Sequence, residues 1–239
     1  MENFLSSILG EQTINFYKIF ADKDFYIVVL KGMLWTLGLT AIALVIGVIL
    51  GIVVAIIQMS QFSKKFEWIE KILKGIAKIY IDVIRGTPAV VQIVFMWNVI
   101  FAKSKLPRIV VGGIAFGINS GAYMAELIRA GIQGIDKGQM EAGRSLGFNY
   151  TDTMRHIIMP QAFKQMLPAF VSEFIILIKE TAIIGFIGGM DLMKAGNIMI
   201  SITMNATQPL LIIAVCYLVL TGIFTKVMRR VEKKINISN

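Results

Sequence analysis

The sequence predicts an all-α integral membrane protein with about five transmembrane helices. Three observations carry this. Hydrophobic residues make up 56% of the 239-residue chain and charged residues only 16%, with a mean hydropathy of +0.72, outside the usual range of a soluble domain. Residues 32–57 carry no charge, and none follows Lys31 until Lys64, which exceeds the roughly 20 apolar residues a helix needs to cross the hydrocarbon core. Four further apolar stretches follow, at about 79–101, 109–129, 166–188 and 206–227.

The elements divide into an N-terminal segment, 1–26, a transmembrane body, 27–230, and a C-terminal tail, 231–239. The N-terminal FLSSILGEQTINFYKIF reads as an interfacial helix with its aromatic and aliphatic residues on one side. No cleaved signal peptide is expected, because the chain opens Met-Glu-Asn without a basic region and the long apolar run begins late. Five spans put the termini on opposite sides. With the N-terminus outside, fifteen basic residues fall in inner segments and seven in outer ones, so this orientation is favoured, with the C-terminus in the cytoplasm. The net charge of +9 is then a topology signal with some attraction to anionic headgroups, and no nucleic-acid partner is expected.

This orientation puts the loop 130–165 in the cytoplasm. Within it GQMEAGRSLG, about ten residues and roughly 15 Å as a helix, reads as a short docking helix. Its small residues Ala142, Gly143, Ser145 and Gly147 would allow a partner's backbone to approach, and Glu141 and Arg144 share a face. Thr151 or Asp152 is placed to cap a second, amphipathic helix carrying Met154, Ile157, Ile158, Ala162 and Met166, with Pro160 and Pro168 bending the chain towards the fourth span. Cys216, unpaired in an apolar run, reads as a packing residue, and His156 has no neighbour at ligand spacing, so no metal site is expected.

The pattern Glu141-Ala142-Gly143, then Gly147, then Ile157, Met159 and Pro160 resembles the E-A-A, G, I-x-L-P signature of permease subunits of binding-protein-dependent ABC importers. It departs at Gly143, which stands for alanine, and Met159, which stands for leucine. Arg85-Gly86-Thr87-Pro88 with Gln92, Ala125-Glu126-Leu127-Ile128-Arg129, Pro160-Gln161-Ala162 and Lys179-Glu180-Thr181 are similar to signatures of the polar amino acid uptake branch.

The resemblance implies a multi-pass protein of the bacterial cytoplasmic membrane. Its cytoplasmic insert would be a coupling helix whose Glu141, Ala142, Gly143, Arg144, Leu146 and Gly147 meet a separate ATPase. It also implies an extracytoplasmic binding protein and a second permease copy or paralogue, a homodimer being favoured. No G-x-x-x-x-G-K-[ST] phosphate loop occurs, so the chain is expected to be no enzyme and to hold no cofactor, ATP and Mg being bound by the partner ATPase.

Ionisable groups inside spans cost about 2.5 to 3.5 kcal/mol each at mid-helix, so each asks for a partner or a function. Asp82, Arg85 and Glu126 lie near cytoplasmic ends, where ion pairing suffices, and Asp82 and Arg85 are spaced to pair. Glu173 and Glu180, seven apart, share a helix face beside Lys179. Two readings stay open: a carboxylate-lined cavity for a cationic substrate such as arginine, lysine or histidine, or a Lys179–Glu180 contact set that holds helices together. Gln92, Asn98, Asn119 and Ser120 are candidate ligands for an amino acid's ammonium and carboxylate. Gly113, Gly117 and Gly121 form a stripe for close helix packing. Arg85, Gly86, Thr87 and Pro88 mark a helix break, and two readings stay open: a gate near a substrate path, or a passive kink. The expected function is an ABC permease for polar, preferably basic, amino acids. The alternatives are glutamine, glutamate or cystine as substrate, or an ion-coupled secondary transporter.

Overall fold

The computed structural model describes residues 21, 23–60 and 64–237; most of the N-terminal interfacial segment expected at 1–26 lies outside them. Nine α-helices follow among the described residues: α1 Phe25–Met59, α2 Glu67–Gly86, α3 Ala89–Phe95, α4 Arg108–Gln133, α5 Lys137–Ser145, α6 Tyr150–Thr153, α7 Met159–Glu180, α8 Leu192–Thr203 and α9 Thr207–Ile237. Two helices are long and apolar enough to cross a membrane, Phe25–Met59 and Thr207–Lys234, and the bent pair Glu67–Gly86 with Ala89–Ile100 makes a third. The helices α4 and α7, of 26 and 22 residues, have spanning length but are diluted by polar groups. In α4 these groups, Asn119 and Ser120, are turned into the protein and buried.

The centre of the bundle is the α1–α4 contact. A Cβ on Gly113 would lie 2.4 Å from Ile42, one on Gly117 2.6 Å from Ile46, and one on Gly121 2.9 Å from Leu50. The offset between partners is 71 residues in all three pairs, so α1 and α4 run parallel, and a chain with parallel first and third segments must recross between them. The return is made by α2, α3 and the π-helical stretch Met96–Ile100 that continues α3: Tyr80 on α2 donates to the Ile118 carbonyl at 2.6 Å, Gln92 on α3 meets Asn119, and Trp97 in the π-helical stretch meets Arg108, antiparallel to α4. Because lipid tails are as apolar as leucine, close van der Waals fit of isoleucine over glycine, rather than escape from water, holds such a pair.

The expected second span, 79–101, is not one helix. The axis turns by 109° between α2 and α3, since Pro88 has no N–H to continue the ladder and Thr87 is extended at ψ 149°. The fourth apolar stretch ends as an α-helix at Glu180, and residues Thr181–Ile187 tighten into a 3-10 segment that stops at Gly188, φ 72°. Neither Pro160 nor Pro168, which lies inside α7, ends the helix. Pro160 sits in the first turn of α7, and the preceding Met154–Ile158 adopts i−5 pairing, so the missing N–H is absorbed and the helical path from Tyr150 to Glu180 is continuous. The cap of that path is Asn149, accepting from the Asp152 N–H at 2.9 Å, not Thr151 or Asp152. Helix α8 was not anticipated. Its cap, Asp191, is fully buried, accepts from the N–H groups of Met193 and Lys194 at 3.0 and 2.8 Å, and lies 3.4 Å from the Tyr217 hydroxyl.

Gly117→Ala should destabilise the protein by about 1–3 kcal/mol, since the added methyl meets the Ile46 Cβ and the Ala43 carbonyl. Gly75→Ala, which meets nothing within 4 Å, should be neutral or stabilising. Thermal unfolding in detergent distinguishes the two.

Candidate functional site

Three groups of polar side chains converge around α4. The first closes the α2–α3 break. The Gln92 amide nitrogen lies 2.8 Å from the Ile84 carbonyl, 3.1 Å from the Thr87 carbonyl and 2.7 Å from the Thr87 hydroxyl, while its oxygen accepts from Asn119 at 2.9 Å. The Thr87 hydroxyl in turn donates to the Val83 carbonyl at 2.8 Å. Carbonyls left without partners where a helix ends are thus satisfied by side chains. Gln92 is occupied with holding the break and with anchoring it to α4, which gives it a different duty from the ligand role expected of it.

The second group joins α4 to α7. Ser120, fully buried, lies with its hydroxyl 3.5 Å from a Glu173 carboxylate oxygen, a long contact at the edge of hydrogen-bonding range. Glu180 follows two turns along the same face, about 10 Å away. Both carboxylates are half-buried, and neither makes an ion pair among the described residues. Lys179 is exposed and forms no ion pair within 4.0 Å of Glu180, although its charge still acts on that carboxylate. Asn98 stands apart: its amide donates to the Val94 carbonyl on an exposed apolar face with Val91 and Val99.

The third group lies further along α4. Glu126 pairs with Arg129 and lies 4.0 Å from Arg85, which also stacks over Tyr123 at 5.5 Å. Arg85 therefore pairs across to α4, and the Asp82–Arg85 pair expected within one helix is not made. Arg129 extends the network to Gln133 at 2.6 Å. Both arginines face Glu126, and neither forms an ion pair with Glu173.

A cavity of about 600 Å³ between α1, α4 and α7, lined by Met59, Met124, Met159, Phe163, Met166 and Phe170 among others, is almost wholly apolar. It offers nothing to a zwitterion. Among the described residues no cluster of three His, Cys, Asp or Glu is arranged to hold a metal. His156 contacts only the Asp152 carbonyl, at 3.0 Å, and Cys216 is half-buried.

Helix α5 starts at Asp136, whose carboxylate accepts from the Gly138 N–H at 2.6 Å. It ends in a glycine cap: the Gly147 N–H bonds the Arg144 carbonyl and the Phe148 N–H the Gly143 carbonyl, with Gly147 at φ 92°. The two glycines have intramolecular duties. Gly143 is buried under its own chain, where a Cβ would lie 2.6 Å from Thr153 and 2.9 Å from Ile157, and it is not available to a partner. That accounts for glycine where the resemblance has alanine. Glu141, Ala142, Arg144 and Leu146 are exposed, Leu146 at 77%, beside exposed Phe148 and Tyr150. The last two were not singled out from the sequence, although aromatic residues straight after a glycine cap were a usable signal.

Residues 47–237 match the family described as the binding-protein-dependent transport system inner membrane component. A putative glutamine transport system permease protein of Rickettsia bellii (strain RML369-C) is 36% identical, over 92% of this chain and 97% of its own. The arginine transport system permease protein of Bacillus subtilis (strain 168) is 38% identical, over 87% and 92%. Among solved structures, the crystal structure of an amino acid ABC transporter with histidines superposes with a TM-score of 0.80 at 40% identity, covering 90% of this chain and 97% of that one.

Gln92→Leu should cost about 1–3 kcal/mol, because it orphans the Ile84 and Thr87 carbonyls and the Asn119 amide together. Asn98→Leu, on the exposed face, should unfold at the wild-type temperature.

Proposed function

The chain belongs to the family of binding-protein-dependent transport system inner membrane components, and from that premise we propose that it forms the translocation path of an importer for basic amino acids. It is a permease subunit of an inner-membrane ABC transporter, holds no cofactor and catalyses no reaction. ATP is bound by a separate ATPase, and the family implies a binding protein as a further partner.

The observation that carries the substrate reading is the Glu173–Glu180 face, two half-buried carboxylates with no ion pair within 4.0 Å among the described residues, one of them against the buried Ser120 hydroxyl. Unpaired carboxylates inside a membrane protein are costly, and a guanidinium, ammonium or imidazolium side chain offsets that cost. Asn119 and Ser120 would then meet the substrate's backbone groups. The arginine permease of Bacillus subtilis and the histidines named with the solved transporter support this class. A second reading, glutamine, has the Rickettsia relative's name in its favour, but a neutral side chain leaves both carboxylates uncompensated.

In this account five spans cross the membrane with the N-terminus outside, and two copies enclose the path. The exposed Glu141, Ala142, Arg144 and Leu146 meet the ATPase, while Gly143 and Gly147 shape the helix that presents them. Closure of the ATPases displaces α5. Since α5 rests on Thr153 and Ile157, and the chain is helical from Tyr150 to Glu180, with Pro168 inside α7, the displacement is carried along that helical path to Glu173. The element at Arg85, Gly86, Thr87 and Pro88 serves as the gate, latched by Gln92.

Arginine titrated into the reconstituted permease should bind about tenfold or more weakly to Glu173→Gln than to wild type, a loss of about 1.4 kcal/mol, with any glutamine binding unchanged. Equal affinity of both proteins for arginine contradicts the assignment. Charge reversal at Glu141 should leave thermal unfolding unaltered while substrate-stimulated ATP hydrolysis falls sharply. Wild-type coupling in that variant would remove Glu141 from the interface.

A further inference from the structure

Helix α2 carries a surface that neither the bundle nor the transport reading uses. At 100° per residue its side chains fall on three faces. Ala77 and Ile81 are buried against Val54 of α1 and Ala122 and Ala125 of α4. Trp68, Ile72, Ile76, Ile79 and Val83 occupy an arc of about 80° and are between 53% and 64% exposed. Lys71, Lys78 and Lys74 follow beyond the Trp68 edge of that stripe, at about 60°, 80° and 120° from Trp68, in the arc between the stripe and buried Ile81.

From this arrangement we infer that α2 is a seat for anionic phospholipid. Its apolar stripe lies among acyl chains of the inner leaflet and its lysines engage the headgroups. Over residues 64–85 there are six basic residues against three acidic ones, a net +3. Lys71 and Lys74 bridge Glu67 and Glu70 at 2.9 and 2.7 Å, while Lys78 is exposed and makes no ion pair among the described residues. A long lysine stem beside an apolar stripe covers hydrocarbon while its ammonium reaches the phosphate layer.

Charge also argues against a second copy as the occupant. Each chain has a net charge of +9, and α2 would bring the same lysines to a stripe already bordered by them. Anionic headgroups complement that charge. The seat acts on transport through position, because α2 runs directly into the Thr87–Pro88 break: holding α2 at the headgroup level fixes the base from which α3 turns by 109°. The inference rests on the orientation proposed above, not on the choice of substrate.

The test places a bimane fluorophore on the stripe, through Ile76→Cys in a Cys216→Ala background, in permease labelled before assembly with its ATPase. The complex is reconstituted in vesicles of equal phosphatidylcholine and phosphatidylglycerol, with bromine on the acyl chains of one lipid or the other. Both lipids should quench the fluorophore, brominated phosphatidylglycerol by about two-fold more, and Lys71→Gln with Lys74→Gln and Lys78→Gln should equalise them. If that triple variant fails to assemble, Lys78→Gln, which breaks no ion pair, should still lower the preference. Equal quenching by the two lipids in the unsubstituted lysine background overturns the headgroup assignment. No quenching by either means that protein covers the stripe, and overturns the lipid seat altogether. Bromine lies in both leaflets, so a reversed orientation would leave this readout intact and is detected separately, by protease access to the 130–165 loop.

Discussion

The contact of α4 glycines with α1 isoleucines is the constraint from which the other features follow. Gly113 and Gly117 let Ile42 and Ile46 reach the α4 backbone, and Gly121 does the same for Leu50. Two long helices fixed in parallel at that distance form one rigid body, and the return segment between them must fit the space left over. It does so by breaking. Its first half, α2, crosses the seam at Ala77 and Ile81, and its second half, α3, turns back along α4. A straight span over 79–101 would have no use for Gln92, whose amide serves the carbonyls released by the break.

The same seam sorts the charges. On α4, Glu126 is neutralised by Arg129 and faced by Arg85, whereas Glu173, opposite Ser120 on α7, makes no ion pair among the described residues. A structural carboxylate would be expected to resemble the first arrangement; one that waits for a ligand, the second. In the proposed mechanism, the position of Glu173 on a helical path that begins beside α5 would link a substrate site there to a docking surface on α5. Binding and coupling then share one element.

Part of this was legible in the sequence. The first span, free of charge from residue 32 to 57, and the fourfold spacing of Gly113, Gly117 and Gly121 are local patterns, and local patterns survive folding. The insert was readable as a helix ending at a glycine. What small residues do there was not, because spacing says that something approaches closely without saying whether it is a partner or the chain's own Thr153. Pro88 announced a break, but its angle depends on Gln92 reaching Asn119, a contact 27 residues away. Helix α8 escaped notice because it is only 12 residues long and follows two glycines, and its buried Asp191 cap looks polar until its backbone partners are known.

The account stands or falls on whether a cationic substrate moves the ATPase through this chain. The most direct measurement is ATP hydrolysis in proteoliposomes holding two copies of this chain, its ATPase and the cognate binding protein, across a panel of amino acids. Stimulation by arginine, lysine or histidine and not by glutamine is the predicted result. Stimulation by glutamine alone would contradict the carboxylate site, and hydrolysis indifferent to every amino acid and to the presence of this chain would contradict the coupling path as well.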